Sequence, residues 1–255
     1  MPLEKELAIA KDIARKASSI MLEYFDGEQR MESKADNSPV TIADTMINRL
    51  VIEELQKDFN DVIIGEEEST GEYGMGRRWI CDPIDGTKAY TWGVPTAMFS
   101  LALAVDGVPV LGVAYDPFLD RMYEARKGSG SFCNGTKLSV SSKGIAEGYT
   151  AISSSVYKIV HKPEAVLALE QKGAQLSSFS GAVYKMCLVA RGRMLGYADP
   201  KLNAHDIAAS HVIVEEAGGR VTDIHGQTLD YSKPITSAIL SNGVIHEDLI
   251  ECYKD

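Results

Sequence analysis

The residues best suited to chemistry lie where an apolar run, Trp79-Ile80-Cys81, gives way to Asp82-Pro83-Ile84-Asp85-Gly86-Thr87-Lys88. A buried strand over the apolar residues brings Asp82 out at a strand end, where open sheets commonly place ligands. Pro83 fixes its own φ and lacks an N–H, which stiffens the backbone between the two carboxylates. Oxygen donors held close together suit a hard divalent cation such as Mg²⁺, which takes a few carboxylates and completes its shell with water and phosphate oxygen. Gly86 and Thr87 add backbone N–H groups able to hold a phosphate if a helix starts there. An Asp-Pro followed by an Asp-Gly also describes an ordinary tight surface turn, so the rest of the chain has to decide.

Three other stretches offer similar groups. Glu66-Glu67-Glu68 follows the apolar run Val62-Ile63-Ile64-Gly65, so Glu66 also leaves a strand end and can face the same pocket as Asp82. Runs of acid are otherwise solvated surface. Thr41 and Asp44 have the spacing of a capping box, and a buried Asp there can equally orient a threonine hydroxyl or a water. Asp206, in Asn203-Ala204-His205-Asp206-Ile207-Ala208-Ala209, suits the N-cap of an Ala-rich helix, and His205 suits packing or hydrogen bonding as well as ligation.

The elements that must position these groups follow from periodicity. Ile9, Ile13, Ala17, Ile20 and Tyr24 mark one face of a long amphipathic helix within residues 3–25. A polar loop then leads into a second helix, with Ile42, Met46, Leu50, Val51 and Leu55 expected on its buried side. Residues 69–78, rich in Gly and charge, read as a loop. Two apolar runs, 98–105 and 108–115, are joined by Asp106-Gly107 as a hairpin; 121–125 and 138–140 continue the pattern, with Asn134-Gly135 as another turn. The first half thus reads as two helices on an antiparallel sheet. Beyond a polar junction at 141–148, strands near 149–153, 175–179, 194–198 and 235–240 alternate with helices near 163–172, 183–190 and 206–218, and the tail reads as a short helix. Such alternation argues for an α/β unit, giving expected domains at 1–145 and 146–255.

Composition narrows the function. The 255 residues suffice for a sizeable core, and 45% hydrophobic with 24% charged content is ordinary for a soluble globular protein. A net charge of −10 argues against a nucleic-acid polymer as partner, which needs clustered Lys and Arg. An acidic protein can still take a phosphate ester when metal ions supply the local positive charge. The four cysteines show no zinc-like spacing and read as reduced thiols of a cytoplasmic protein. The charged N-terminal stretch is neither a signal peptide nor a membrane span. No G-x-G-x-x-G or G-x-x-x-x-G-K-[ST] loop occurs.

Taken together, Gly65-Glu66-Glu67, Asp82-Pro83-Ile84-Asp85-Gly86-Thr87 and His205-Asp206-Ile207-Ala208-Ala209 resemble, in order, the G-E-E, D-P-[IL]-D-G-T and W-D-x-A-A motifs of the inositol monophosphatase family. The resemblance spans nearly the whole chain. It implies an α+β / α/β fold, a layered αβαβα sandwich like that of fructose-1,6-bisphosphatase, and Mg²⁺-dependent hydrolysis of a small phosphate monoester. By resemblance, Glu66, Asp82 and the Ile84 carbonyl hold one Mg²⁺, Asp82, Asp85 and Asp206 a second, and Glu66 reaches a third through water. Mn²⁺ is the implied substitute, and Li⁺ and Ca²⁺ the implied inhibitors. Thr87, paired with Asp44, would orient and help deprotonate the attacking water, with Glu66 also in the catalytic set, and Gly86, Thr87 and Asp85 would contact the phosphate. Glu67 would support the metal ligands from behind, Lys34 and Asp36 belong to a lid-like loop, Asp199 would contact substrate hydroxyls, and Ala182 and His205 would line the pocket. The family also implies a homodimer.

Departures bear on substrate. His205 stands where the family often has Trp, which leaves a smaller and more polar wall. The Ser38–Asp44 stretch and Lys88 look more like the branches acting on histidinol phosphate or 3′-phosphoadenosine-5′-phosphate. The expected substrate is inositol 1-phosphate or a related sugar or polyol phosphate, with histidinol phosphate, 3′-phosphoadenosine-5′-phosphate or NADP as alternatives. A catalytically silent scaffold is the remote alternative, disfavoured because Glu66, Asp82, Asp85, Thr87 and Asp206 are all present.

Overall fold

A computed structural model describes residues 3–25, 31–33, 39–152 and 162–254. Lys34 and Asp36 lie outside the described residues. In chain order the elements are α1 (Glu4–Phe25), β1 (Met31–Ser33), β2 (Pro39–Thr41), α2 (Ile42–Gln56), β3 (Val62–Gly65), β4 (Arg77–Asp85), α3 (Thr87–Thr91), β5 (Met98–Val105), β6 (Val108–Asp116), β7 (Arg121–Arg126), β8 (Gly130–Cys133) and β9 (Thr136–Lys137). After a 3-10 turn, Ile145–Glu147, come β10 (Tyr149–Ile152), α4 (Pro163–Gln171), β11 (Gln175–Ser177), α5 (Ala182–Ala190), β12 (Gly196–Asp199), α6 (Ala204–Glu216), β13 (Arg220–Thr222), β14 (Ala238–Ser241) and α7 (His246–Tyr253). No helix among the described residues is long and apolar enough to cross a membrane.

The first sheet runs β3-β4-β5-β6-β7-β8-β9 and the second β11-β10-β12-β14-β13. Period-2 alternation assigns each strand face to a layer. In β4 and β5, Trp79, Cys81, Leu101 and Leu103 pack on α1 and α2 together with Ile13, Met21, Ile47 and Val51. Their neighbours Ile80, Ala102 and Ala104 pack the opposite way, with Val183, Met186, Ile207 and Val212 of α5 and α6. The second sheet repeats the arrangement: Ala151, Tyr197 and Leu240 face α5 and α6, whereas Ile152, Ala198 and Ile239 face Leu169 of α4 and Leu249 of α7. The result is the expected αβαβα layering. One apolar core crosses residue 145, so we propose the division there as a division of sheets only.

The layer between the sheets is close-fitting because the first sheet presents small residues to it. Gly112 faces α6 so closely that a Cβ built on it would stand 2.3 Å from the Ala209 carbonyl oxygen. The C-terminal end of α6 is tied to the same sheet, since the Glu216 carboxylate accepts the N–H groups of Gly128 and Gly130, both at 2.7 Å.

Several expectations are corrected. The first sheet is mixed, because β3 pairs parallel to β4. Residues 138–140 leave the sheet, and the Val140 N–H donates to Ala217 O at the end of α6. On α2 the buried side is Ala43, Asp44, Ile47, Asn48, Val51 and Leu55. Ile42 and Met46 are 41% and 39% exposed. Val51 and Leu55 are buried as expected, and the expectation fails in the first turns because two polar residues, Asp44 and Asn48, occupy the inner side. Asp206 is not the N-cap of α6; Asn203 is, and Asp206 closes its capping box from the third helical position.

One buried histidine makes stability depend on pH. His246 is 0% exposed; its Nε2 lies 2.9 Å from Thr222 Oγ1 and its Nδ1 2.8 Å from Ser241 Oγ. The Thr222 hydroxyl gives its own proton to Asp223 O, so Nε2 carries the ring hydrogen and Nδ1 accepts from Ser241. Burial pulls the pKa down to about 4 from the usual 6.5. Between those values the unfolded chain binds the proton and the folded chain does not, so this contribution is complete above pH 6.5 and is lost as pH falls toward 4. The loss should reach about 3 kcal/mol. Urea unfolding across pH 4 to 7 should show His246→Gln with a flatter profile than wild type; equal slopes would refute the assignment.

Candidate metal centre

Parallel pairing of β3 and β4, with Gly65 opposite Cys81, brings both strand ends level. The Glu66 N–H continues the ladder to Cys81 O at 3.1 Å, which sets Glu66 beside Asp82. In a regular strand, residues three apart point to opposite faces. Between β4 and β5, however, Asp82 pairs with Ser100 and Asp85 with Met98, three steps against two. This one-residue bulge, containing Pro83, restores Asp85 to the side of Asp82.

The remaining carboxylate comes from the second half. Helix α6 is capped by Asn203, whose N–H donates to Asp206 Oδ2 at 2.6 Å, so the cap fixes the Asp206 rotamer. Ligand atoms of Asp82, Asp85 and Asp206 lie within 4.8 Å of one another, and those of Glu66, Asp82 and His205 form a second group of the same compactness. Asp82 belongs to both. Asp85 is held from the side by the first turn of α5, where Ala182 N–H donates to Oδ1 at 3.1 Å and Val183 N–H to Oδ2 at 2.9 Å.

Asp44 closes the capping box and also lies near Thr87. Its Oδ2 accepts the Thr41 N–H at 2.8 Å and the Thr41 hydroxyl at 2.6 Å, completing the capping box of α2. Its Oδ1 lies 3.4 Å from Thr87 Oγ1, which also reaches Ile84 O at 2.9 Å. Thr87 opens α3 after Gly86, whose φ of 83° falls in the left-handed region. A Cβ on Gly86 would lie 3.1 Å from Gly181 Cα, and one on Gly181 2.5 Å from Thr96 O. Two glycines therefore let the signature turn meet the start of α5.

The electrostatics describe a site short of positive charge. Burial pushes the Asp82 carboxyl well above its usual pKa, and the charges of Glu66, Asp85 and Asp206 push it further. Asp85 is raised to about 7 by burial and then by Asp206, against the opposing N–H groups of α5 and the Lys185 ammonium. Asp44 rises to about 7 through burial, its Thr41 hydrogen bonds opposing and Glu66 and Glu67 adding. Asp82 Oδ1 is buried with no hydrogen-bond partner among the described residues. An orphaned oxygen in a crowd of carboxylates fits a divalent cation.

Asp199 is buried and hydrogen-bonded. It is 2% exposed, with Oδ2 accepting the Tyr197 hydroxyl at 2.7 Å and Oδ1 the Lys201 N–H at 2.9 Å. Sequence reasoning missed Asn48, which clamps the acidic turn: its Nδ2 donates to Glu68 O at 2.9 Å and its Oδ1 accepts the Glu67 N–H at 3.3 Å. The available signal was a polar residue four positions after Asp44, one helical turn along the same face. Asn48→Ala should cost about 1–2 kcal/mol and weaken metal binding through Glu66. Thermal melts with and without Mg²⁺ check this, and an unchanged Mg²⁺ shift would remove Asn48 from the site.

The family model described as "Inositol monophosphatase family" matches residues 3–254. A Histidinol-phosphatase from Chlorobaculum parvum is 36% identical, with 87% of each chain covered. A Fructose-1,6-bisphosphatase/inositol-1-monophosphatase from Thermotoga maritima is 32% identical over 95% of this chain and 93% of its own. The solved structure of a Thermotoga maritima IMPase superposes with a TM-score of 0.88 at 29% identity, covering 98% of this chain and 96% of the other. Fold and matches define a phosphatase that hydrolyses phosphomonoesters. The chain belongs to the inositol monophosphatase family.

Proposed function

We propose that the chain hydrolyses inositol 1-phosphate or a related sugar or polyol phosphate, with Mg²⁺, by direct attack of water. The observation that carries this reading is Asp82, one buried carboxylate common to two groups of ligand atoms. Glu66, Asp82 and the Ile84 carbonyl would hold one ion, Asp82, Asp85 and Asp206 the second, with Glu66 reaching a third through water. When bound, Mg²⁺ neutralises charge on the ester and lowers the pKa of bound water. Thr87 would offer its lone pairs to the attacking water, with Asp44 Oδ1 3.4 Å from its hydroxyl and placed to take the proton. The amides of Gly86 and Thr87 receive phosphate oxygens, and Ala182 lines the pocket beside Asp85.

No cysteine nucleophile is needed. The cysteines are free, and burial pushes the Cys81 and Cys187 thiols well up, which makes them poor nucleophiles. The relative named Histidinol-phosphatase favours a second reading, an amino-alcohol phosphate as substrate. Phosphate release from inositol 1-phosphate, histidinol phosphate, fructose 1,6-bisphosphate, NADP⁺ and 3′-phosphoadenosine-5′-phosphate, measured with Mg²⁺, EDTA and Li⁺, tests both. Activity surviving EDTA would refute the mechanism, and strong preference for histidinol phosphate would decide for the second reading. The assembly proposed is a cytoplasmic homodimer, checked for oligomeric state by light scattering.

A further inference from the structure

We infer that His205 is a metal ligand, so that the two cation positions differ in chemistry: one with an imidazole nitrogen beside Glu66 and Asp82, the other with carboxylates alone. The inference rests on the metal-centre reading above and deepens it. His205 and Asp206 are the second and third residues of α6. Neighbouring helix residues point about 100° apart, so one helix start can address two positions at once. The structure groups them that way: a ring nitrogen of His205 joins Glu66 and Asp82, and the Asp206 carboxylate joins Asp82 and Asp85. In each group the ligand atoms lie within 4.8 Å of one another, near enough for small side-chain movements to bring them onto one ion. The independent sign of a ligand is Asp82 itself. It is 2% exposed, and its Oδ1 is buried with no hydrogen-bond partner among the described residues.

An imidazole changes which ion is preferred. Mg²⁺ favours oxygen donors and keeps water in preference to nitrogen, whereas Mn²⁺, Co²⁺ and Zn²⁺ accept imidazole increasingly well. The position containing His205 should therefore select a transition-metal dication over Mg²⁺, and the Asp82–Asp85–Asp206 position should not. His205 then acts on metal choice where a pocket-lining role would act on substrate choice.

The test uses the full chain and Mn²⁺. Pulsed electron paramagnetic resonance of the Mn²⁺-loaded protein should show coupling to a ¹⁴N nucleus that changes character when histidine is ¹⁵N-labelled. His205→Gln should abolish that coupling, and Asp206→Asn should retain it. Calorimetry should show His205→Gln weakening Mn²⁺ binding at least about tenfold while Mg²⁺ binding changes much less. Circular dichroism controls for folding, and the half-buried position at the helix start tolerates Gln. Mn²⁺ bound with no histidine ¹⁴N coupling, or equal losses for both ions, overturns this inference and leaves the carboxylate centre standing. Failure of wild type to bind either ion overturns the metal-centre reading as well.

Discussion

Asp82→Asn is expected to lower phosphate release at saturating Mg²⁺ by about a thousandfold or more, while leaving the metal-free protein no less stable than wild type. The loss follows from removing the carboxylate that both ligand groups share. The stability result follows from charge. Burial and the neighbouring Glu66, Asp85 and Asp206 raise the Asp82 pKa in the folded state. A carboxyl with a raised folded pKa favours folding only while protonated. Its contribution is lost as pH rises from the ordinary value of 3.8 through the folded value. An amide has no proton to lose and removes that slope, along with one member of a crowd of like charges. Thermal melts from pH 4 to 8 in EDTA, repeated with Mg²⁺, separate the two effects. Wild type should gain melting temperature on adding Mg²⁺ and the variant little. An Asn variant melting well below wild type in EDTA at neutral pH would mean that Asp82 is structural, and activity within tenfold would remove it from the metal centre.

The second large effect lies far from the carboxylates in sequence. Gly112→Ala places a methyl where the Ala209 carbonyl oxygen stands 2.3 Å away and two further Ala209 backbone atoms 3.0 Å away. Backbone cannot rotate aside as a side chain does, so α6 must shift or β6 must bend. The cost should be about 3 kcal/mol, at the upper end for overpacking. Because α6 carries His205 and Asp206 at its start, the same shift should weaken divalent-ion binding. Gly128→Ala is the control: nothing lies within 4 Å of its added Cβ, but φ is 77°. It should cost about 1 kcal/mol of backbone strain and leave metal binding alone. Urea unfolding and Mg²⁺ calorimetry on both variants decide the matter. If Gly112→Ala unfolds like wild type, the sheet and α6 are not in contact as described.

What the sequence conveys and what it hides divide by range. Helix α1 and the hairpins at Asp106-Gly107 and Asn134-Gly135 are legible because their periodicity and turn chemistry are local. The order of Glu66, Asp82 and Asp206 along the chain is legible through motifs, but their convergence depends on a parallel pair and a helix from the other half. Helix α2 misleads for a related reason. Asp44 and Asn48 are turned inward toward the site, so a template that looks for apolar residues inside picks Ile42 and Met46. The partners of Asp199, the Tyr197 hydroxyl and the Lys201 N–H, are visible only in the tertiary structure. Gly112 and Gly181 carry no local signal, because what their missing side chains make room for is another segment's backbone.

The bulge in β4 makes the centre sensitive to length in a way it is not sensitive to spelling. Ile84 would contribute through its carbonyl, so an apolar replacement that fills the same buried space can still deliver two carboxylates to one face. Deleting Pro83 or Ile84 would put Asp82 and Asp85 two apart across a ladder that expects two, and the bulge would vanish. Inserting one residue would set four steps against two, so the ladder would have to absorb a second extra residue or slip its register, displacing Asp85 and the anchor it gives the first turn of α5. Substitutions in this stretch should therefore grade activity, and single-residue insertions should abolish it while leaving all four residues in place. The strand keeps count, and the chemistry depends on the count being right.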